Sequence, residues 1–190
     1  MTRPEDLLHH RALWDLVNDQ FYGADGLELW RRTDIVWGLF ATPESEVGVL
    51  GDVAGLDVVE LGCGTAHVSA WLARLGARPV AIDQSGAQLA SARAAQAEHG
   101  LGFTLLQADA EHVPLADGCA DLVISEHGAP AWCEPDAWIA VRLREALRGM
   151  RGQHGLEARG RGVPVAVLQR DLATHDPAGH ADVREFLGLR

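Results

Sequence analysis

From residue 57 onward, short apolar runs alternate with amphipathic stretches. Val58, Val59 and Leu61 form the kind of run expected of a strand covered on both faces. Val68, Trp71, Leu72 and Leu75 then fall at i, i+3, i+4 and i+7, one apolar face of a helix, and Gly76 is placed to end it. Val80-Ala81-Ile82, Phe103 to Leu106 and Leu122-Val123-Ile124 read as three more strands. Between the first two of these, Ser85 is placed to cap a helix carrying Leu89, Ala90, Ala94 and Ala97, which ends at His99-Gly100. Pro135 opens a further helix with Trp138, Ile139, Leu143, Ala146 and Leu147 on one face. Ahead of this region, Pro4 and the apolar positions up to Val17 predict a helix over 4–18. Asp19 to Gly26 reads as a loop, Leu27 to Val36 as a short helix, and Thr42-Pro43 as the start of another ending near Gly51. Trp14, Trp30, Trp37 and Phe40 are expected to pack.

Strands alternating with helices imply parallel units with right-handed crossovers. The fold class is therefore α/β: a Rossmann-like, doubly wound, mostly parallel sheet with helices on both faces, incomplete at its C-terminal side. Residues 1–55 read as a helical region packed on the core, 56–148 as the core, and 149–190 as an atypical tail. The tail repeats Arg and Gly from Arg148 to Gly162, which reads as a disordered loop. Val163 to Leu168 could form a strand, at an edge because of Pro164, and Asp182 to Leu189 a short helix.

Composition narrows the function. The chain has 190 residues, 47% of them apolar, the range of one globular domain. A formal charge of -11 argues against nucleic acid and anionic membranes as partners. All 16 basic residues are Arg. Seven of them face 21 acids in residues 1–140, against nine facing six acids in 141–190. No run is long and apolar enough to span a bilayer, and the opening Met-Thr-Arg-Pro-Glu-Asp lacks a signal peptide's apolar centre, so a cytoplasmic location is expected. Three Cys without CxxC spacing and nine His without ligand spacing give no metal site.

The candidate chemistry lies where the first core strand runs into Gly62-Cys63-Gly64 and then opens a helix, a turn suited to close approach by a ligand. Open α/β sheets bind ligands at the carboxyl ends of their strands, so Gly62, Asp83, Asp109 and Ser125 should line one crevice. Asp83 is placed to accept from both hydroxyls of a ribose. Asp109 could accept from an exocyclic amine while the Ala110 N–H donates to a purine nitrogen. Glu60, beside the helix N-terminus, discourages a pyrophosphate and suits a cationic or zwitterionic tail. The ligand implied is a nucleoside with an amino-acid-like, positively charged tail. Either Asp could instead simply cap the turn that follows it.

Glu60-Leu61-Gly62-Cys63-Gly64-Thr65, Val80-Ala81-Ile82-Asp83-Gln84-Ser85 and Gln107-Ala108-Asp109-Ala110-Glu111-His112-Val113-Pro114-Leu115, in that order, resemble the class I S-adenosylmethionine-dependent methyltransferases, in particular their small-molecule, type 11-like branch. The resemblance covers roughly residues 30 to 148 and implies S-adenosyl-L-methionine as cofactor and a small-molecule methyl acceptor. It places Gly62, Cys63 and Gly64 against the methionine part with Glu60 nearby, Asp83 followed by Gln84 at the ribose, and Asp109 with Ala110 at the adenine. The acceptor cleft would open at Ser125-Glu126-His127-Gly128, with Ser125 counted among the cofactor residues. Methyl transfer from a sulfonium needs alignment and exclusion of water. A base is required only for an acceptor that must lose a proton, and His127 is the candidate. The Asn/Asp-Pro-Pro-aromatic tetrapeptide of nucleic-acid enzymes is missing after the fourth strand, which favours a small-molecule acceptor. The family's Pro-Gly-Gly turn is missing after Leu147, so the C-terminus is atypical or truncated. The alternatives are a non-catalytic protein keeping only the pocket, and a nicotinamide-dependent dehydrogenase, which His67 disfavours by standing where the dinucleotide fingerprint needs glycine.

Overall fold

The structure, a computed structural model, describes residues 2–38, 40–134 and 165–168. The chain begins with helix α1 (Pro4–Val17), a π-helical turn (Asn18–Tyr22) and helix α2 (Gly23–Arg31). Strands β1 (Val36–Trp37) and β2 (Thr42–Pro43) pair antiparallel, and the short helix α3 (Glu44–Val47) follows. The core then runs β3 (Asp57–Leu61), α4 (His67–Arg74), β4 (Arg78–Asp83), α5 (Gly86–His99), β5 (Thr104–Gln107) and β6 (Leu122–Glu126). Strand β7 (Val165–Leu168) completes a five-stranded sheet in the order β5-β4-β3-β6-β7, parallel throughout.

The apolar runs do what a two-sided strand requires. Val58, Leu122 and Ile124 pack with Val68, Trp71 and Leu72 of α4. Their neighbours Val59, Leu61, Ile82 and Val123 turn the other way and pack with Val113, Ala120 and Ala129. Helices α4 and α5 share the first face, where Ala70 and Ala81 meet Leu89, Ala92 and Ala95. Among the described residues, the second face is covered by the segments around Val113 and Ala129. The helix expected from Pro135, the Arg–Gly stretch and the helix expected over Asp182–Leu189 lie outside the described residues. The edge strand expected at Val163–Leu168 is present as β7, in register Val123 to Val165 and Glu126 to Leu168.

The N-terminal region departs from expectation in three places. Asp19–Gly26 is helical, not a loop, and α2 ends at Arg31 with Val36 already in a strand. Tertiary contact supplies what local propensity lacks there. Trp30, 0% exposed, stacks between His99 and Phe103 with ring centroids 5.6 and 5.9 Å away, and its Nε1–H donates to the Thr65 carbonyl at 2.8 Å. Thr42 does not cap a helix. It pairs with Trp37, and α3 starts at Glu44 and stops at left-handed Gly48, short of Gly51. Glu44 is held elsewhere, accepting from Trp37 Nε1–H at 2.5 Å and Leu50 N–H at 2.7 Å. Phe40 does not pack: it is 81% exposed. Among the described residues, no helix is long and apolar enough to cross a membrane.

Candidate functional site

At the end of β3 the backbone turns through Gly62 with φ +69°. A Cβ on Gly62 would lie 2.3 Å from the Ala129 backbone nitrogen, and one on Gly128 would lie 2.4 Å from the Gly62 oxygen. The first glycine is therefore required by backbone packed on backbone. Gly64, at φ +54°, is the open one: its missing Cβ would point at Gln88 Oε1, 3.6 Å away. Left-handed Ala66 then starts α4 at His67. The turn is tied to β4 twice. Cys63 N–H donates to the Ile82 carbonyl at 2.9 Å, and Gly64 N–H donates to Asp83 Oδ2 at 2.8 Å. The other oxygen of Asp83 accepts from Ser85 N–H at 2.8 Å, and burial pushes the Asp83 pKa up. Ser85 in turn caps α5 by accepting from Gln88 N–H.

Asp109 closes its own turn, accepting from Glu111 N–H at 2.9 Å through Oδ1 while Oδ2 meets His112 Nδ1 at 2.7 Å. It still borders the same hollow as Asp83. A cavity of about 390 Å³ is lined by Gly62, Cys63, Gly64, Asp83, Gln84, Asp109 and Ala110. That volume lies within the usual range of small-molecule sites. Glu126 and His127 border it at the β6 end. Glu126 Oε1 accepts from Gly38 N–H at 2.9 Å and lies 3.5 Å from His127 Nε2. His127 itself sits at φ +47°. Cys63 is 3% exposed and burial pushes its thiol pKa up, which removes it as a nucleophile.

Two of the expected residues do not reach the cavity. Ser125, 1% exposed, donates its hydroxyl to the Leu61 carbonyl at 2.6 Å and so ties β6 to β3. Glu60, 2% exposed, points under the turn toward α4, where its Oε2 accepts from Ser69 N–H at 2.9 Å and from the Ser69 hydroxyl at 2.5 Å. Burial pushes the Glu60 pKa up to about 8 against the pull of the Ser69 bonds, with Glu126 and Asp83 adding to the rise. At neutral pH Glu60 is thus mostly uncharged and supplies no carboxylate to a cationic tail.

Other lining residues had no local signal. Leu7, His10 and Trp14 of α1 roof the cavity, with Trp132 standing edge-on to Trp14 at 5.4 Å and to His10 at 5.1 Å. α1 is pinned at both ends. Thr2 donates its N–H and hydroxyl to the Glu111 carboxylate, and Asp15 Oδ1 accepts from the Ser85 hydroxyl at 2.5 Å and Ala87 N–H at 3.2 Å. The side-chain oxygens of Gln84 and Gln88, both at the cavity, have no hydrogen-bond partner. Among the described residues, no cluster of His, Cys, Asp and Glu is placed to hold a metal.

Residues 59–150 match the family model described as a methyltransferase domain. Over those residues the chain resembles a methyltransferase domain. Over 81 residues it is 38% identical to a malonyl-[acyl-carrier protein] O-methyltransferase of Pectobacterium atrosepticum, a match covering 43% of this chain and 30% of that protein. Over 124 residues it is 37% identical to a dimethylglycine N-methyltransferase of Parasynechococcus marenigrum, covering 57% of this chain and 43% of that one. The matches thus span less than half the length of these relatives. A crystal structure from Methanococcus maripaludis, described as that of an S-adenosyl-L-methionine-dependent methyltransferase, shares the fold at TM-score 0.50 and 16% identity, over 76% of this chain and 61% of that one. The fold is accordingly the α/β architecture expected of the sequence, with the cavity at the carboxyl ends of its parallel strands.

Proposed function

We infer that the chain binds S-adenosyl-L-methionine in this cavity and transfers its methyl group to a small-molecule acceptor. The observation that carries the reading is convergence: Asp83 and Asp109, from successive strand ends, border one hollow with the glycine turn. The donor pattern fits a nucleoside. Each Asp83 oxygen already holds one backbone N–H, which fixes the carboxylate and leaves lone pairs for ribose hydroxyls.

In this reading Asp109 and Ala110 hold the adenine, and Gly62, Cys63 and Gly64 line the path of the methionine part. Glu60 and Ser125 serve by holding the turn's shape rather than by touching the ligand. S-adenosyl-L-methionine supplies a methyl group already attached to a good leaving group. The protein's task is then to align the acceptor and keep water out, which Leu7, Trp14 and Trp132 do from above. An acceptor that must lose a proton would give it to His127. The relatives are named for different acceptors, one for an oxygen of malonyl-[acyl-carrier protein] and one for the nitrogen of dimethylglycine, and the second supports a small-molecule acceptor for this chain.

The test is calorimetric titration with S-adenosyl-L-methionine, repeated on Asp83→Ala. Binding by the native chain, with a loss of about 30-fold or more in the variant, is expected from two forfeited charge-assisted hydrogen bonds. Release of S-adenosylhomocysteine over a panel of acceptors then separates an enzyme from a protein that only binds. Binding of reduced nicotinamide dinucleotide with no affinity for the sulfonium nucleoside would overturn the reading.

A further inference from the structure

Asp83 and Asp109 are held in the same way. Each has one donor on each carboxylate oxygen: Gly64 N–H and Ser85 N–H on Asp83, Glu111 N–H and His112 Nδ1 on Asp109. Three of these four donors are backbone amides. The fourth is a side chain, and the roles above leave it unused. The His112 side chain is 53% exposed and stands outside the cavity, whereas Asp109 keeps 16% of its side chain open and borders it.

The ring is not needed to close its turn. The His112 backbone N–H already donates to the Asp109 carbonyl at 3.0 Å. What the ring adds is a bond of 2.7 Å to Oδ2, while Glu111 N–H holds Oδ1 at 2.9 Å. The last torsion of an aspartate lies in a broad well, so one donor fixes one oxygen and lets the carboxylate plane swing. A second donor on the other oxygen stops that swing. A carboxylate only accepts, so Nδ1 carries the proton, and each oxygen keeps a lone pair for a further donor.

We propose that His112 is a positioning residue for the nucleoside end of the cavity: by pinning Oδ2 it fixes the Asp109 carboxylate in the orientation that accepts from the exocyclic amine of adenine. The proposal rests on the methyltransferase reading, in which Asp109 holds the adenine, and adds a task for a side chain that stands behind the site.

The experiment titrates the full chain by calorimetry with two ligands, S-adenosylhomocysteine and its analogue with hydrogen in place of the purine 6-amine. The analogue offers Asp109 no N–H, so it reports general damage to the site and is blind to the carboxylate's orientation. His112→Leu should weaken S-adenosylhomocysteine about fivefold or more while the analogue's affinity stays within about twofold. His112→Asn, whose amide nitrogen falls near the place of Nδ1, should recover part of the loss. In the Asp109→Ala background the same His112→Leu change should cost less than about twofold, because the ring has nothing left to orient. ¹⁵N spectra of the neutral ring should place its proton on Nδ1 in the native chain and on Nε2 in Asp109→Ala. Equal losses for the two ligands in His112→Leu, no loss for S-adenosylhomocysteine, or a native ring protonated on Nε2 would each overturn the proposal. Failure of the native chain to bind S-adenosylhomocysteine would instead strike the methyltransferase reading itself.

Discussion

Glu60 holds a proton where the unfolded chain would not. Its pKa stands at about 8 against an ordinary 4.5, with burial as the main cause. The stability it contributes is fully present below the unfolded value and is lost as pH rises through the folded one. Unfolding free energy should therefore fall between about pH 5 and about pH 8, by an amount on the order of a few kcal/mol. Glu60→Gln keeps an acceptor for Ser69 and cannot ionise, so denaturant titrations across that range should show a flattened slope. Parallel pH profiles for the two proteins would refute the assignment. The glycines divide in the same way. Gly62→Ala forces a Cβ into the Ala129 backbone and should cost on the order of 3 kcal/mol of stability. Gly64→Ala meets only ordinary contact with Gln88, so about 1 kcal/mol from its positive φ is expected, with a larger loss in cofactor affinity. Calorimetry and thermal unfolding on both variants separate the two roles. That Gly64, Asp83 and Asp109 border one hollow was legible in the sequence because Asp83 ends β4 and the other two follow closely on the ends of β3 and β5, where parallel strands open to a ligand. Glu60 and Ser125 were not, since their targets, Ser69 and the Leu61 carbonyl, depend on which face of the sheet each side chain meets.

Among the elements, α1 is the roof of the cavity, and its attachments are few and polar. Asp15 joins it to the first turn of α5 through Ser85 and Ala87, and Thr2 joins it to Glu111. Asp15→Ala should release one end, with a loss of roughly 1–2 kcal/mol. Hydrogen exchange over Pro4–Val17 should then quicken while β3 and β4 keep their protection. Equal exchange in both proteins would mean that Trp14 against Trp132 suffices to hold the helix down. The sequence located β3 through β6 and helices α4 and α5 because their signals are local. Each strand is a short apolar run, and each helix has a stop, at Gly76 after α4 and at Gly100 after α5, both at positive φ. The same logic failed over Asp19–Gly26. Trp30, buried between His99 and Phe103, holds α2 against partners some seventy residues away, which no window of sequence displays.

On the scale of the whole molecule, the sheet order separates two tasks. The ends of β3, β4 and β5 carry the glycine turn, Asp83 and the approach to Asp109, whereas Glu126 and His127 follow from β6 alone. β6 is apolar and buried from Leu122 to Ser125, so it needs a strand on each side. β3 supplies one and β7 the other, with Ala166 opposite Ile124. Ala166→Pro removes a backbone donor and inserts a ring into this ladder, at a cost of about 3 kcal/mol if β7 is a true partner. Protection of the Leu122–Glu126 amides should fall, and the exposed parallel edge should drive concentration-dependent association on size exclusion. Because the nucleoside end is built on the other strands, a remaining monomer should keep its affinity for S-adenosylhomocysteine within a few-fold while losing acceptor turnover. An Ala166→Pro variant with native exchange at Leu122–Glu126 would show that β6 takes its second neighbour from another part of the chain.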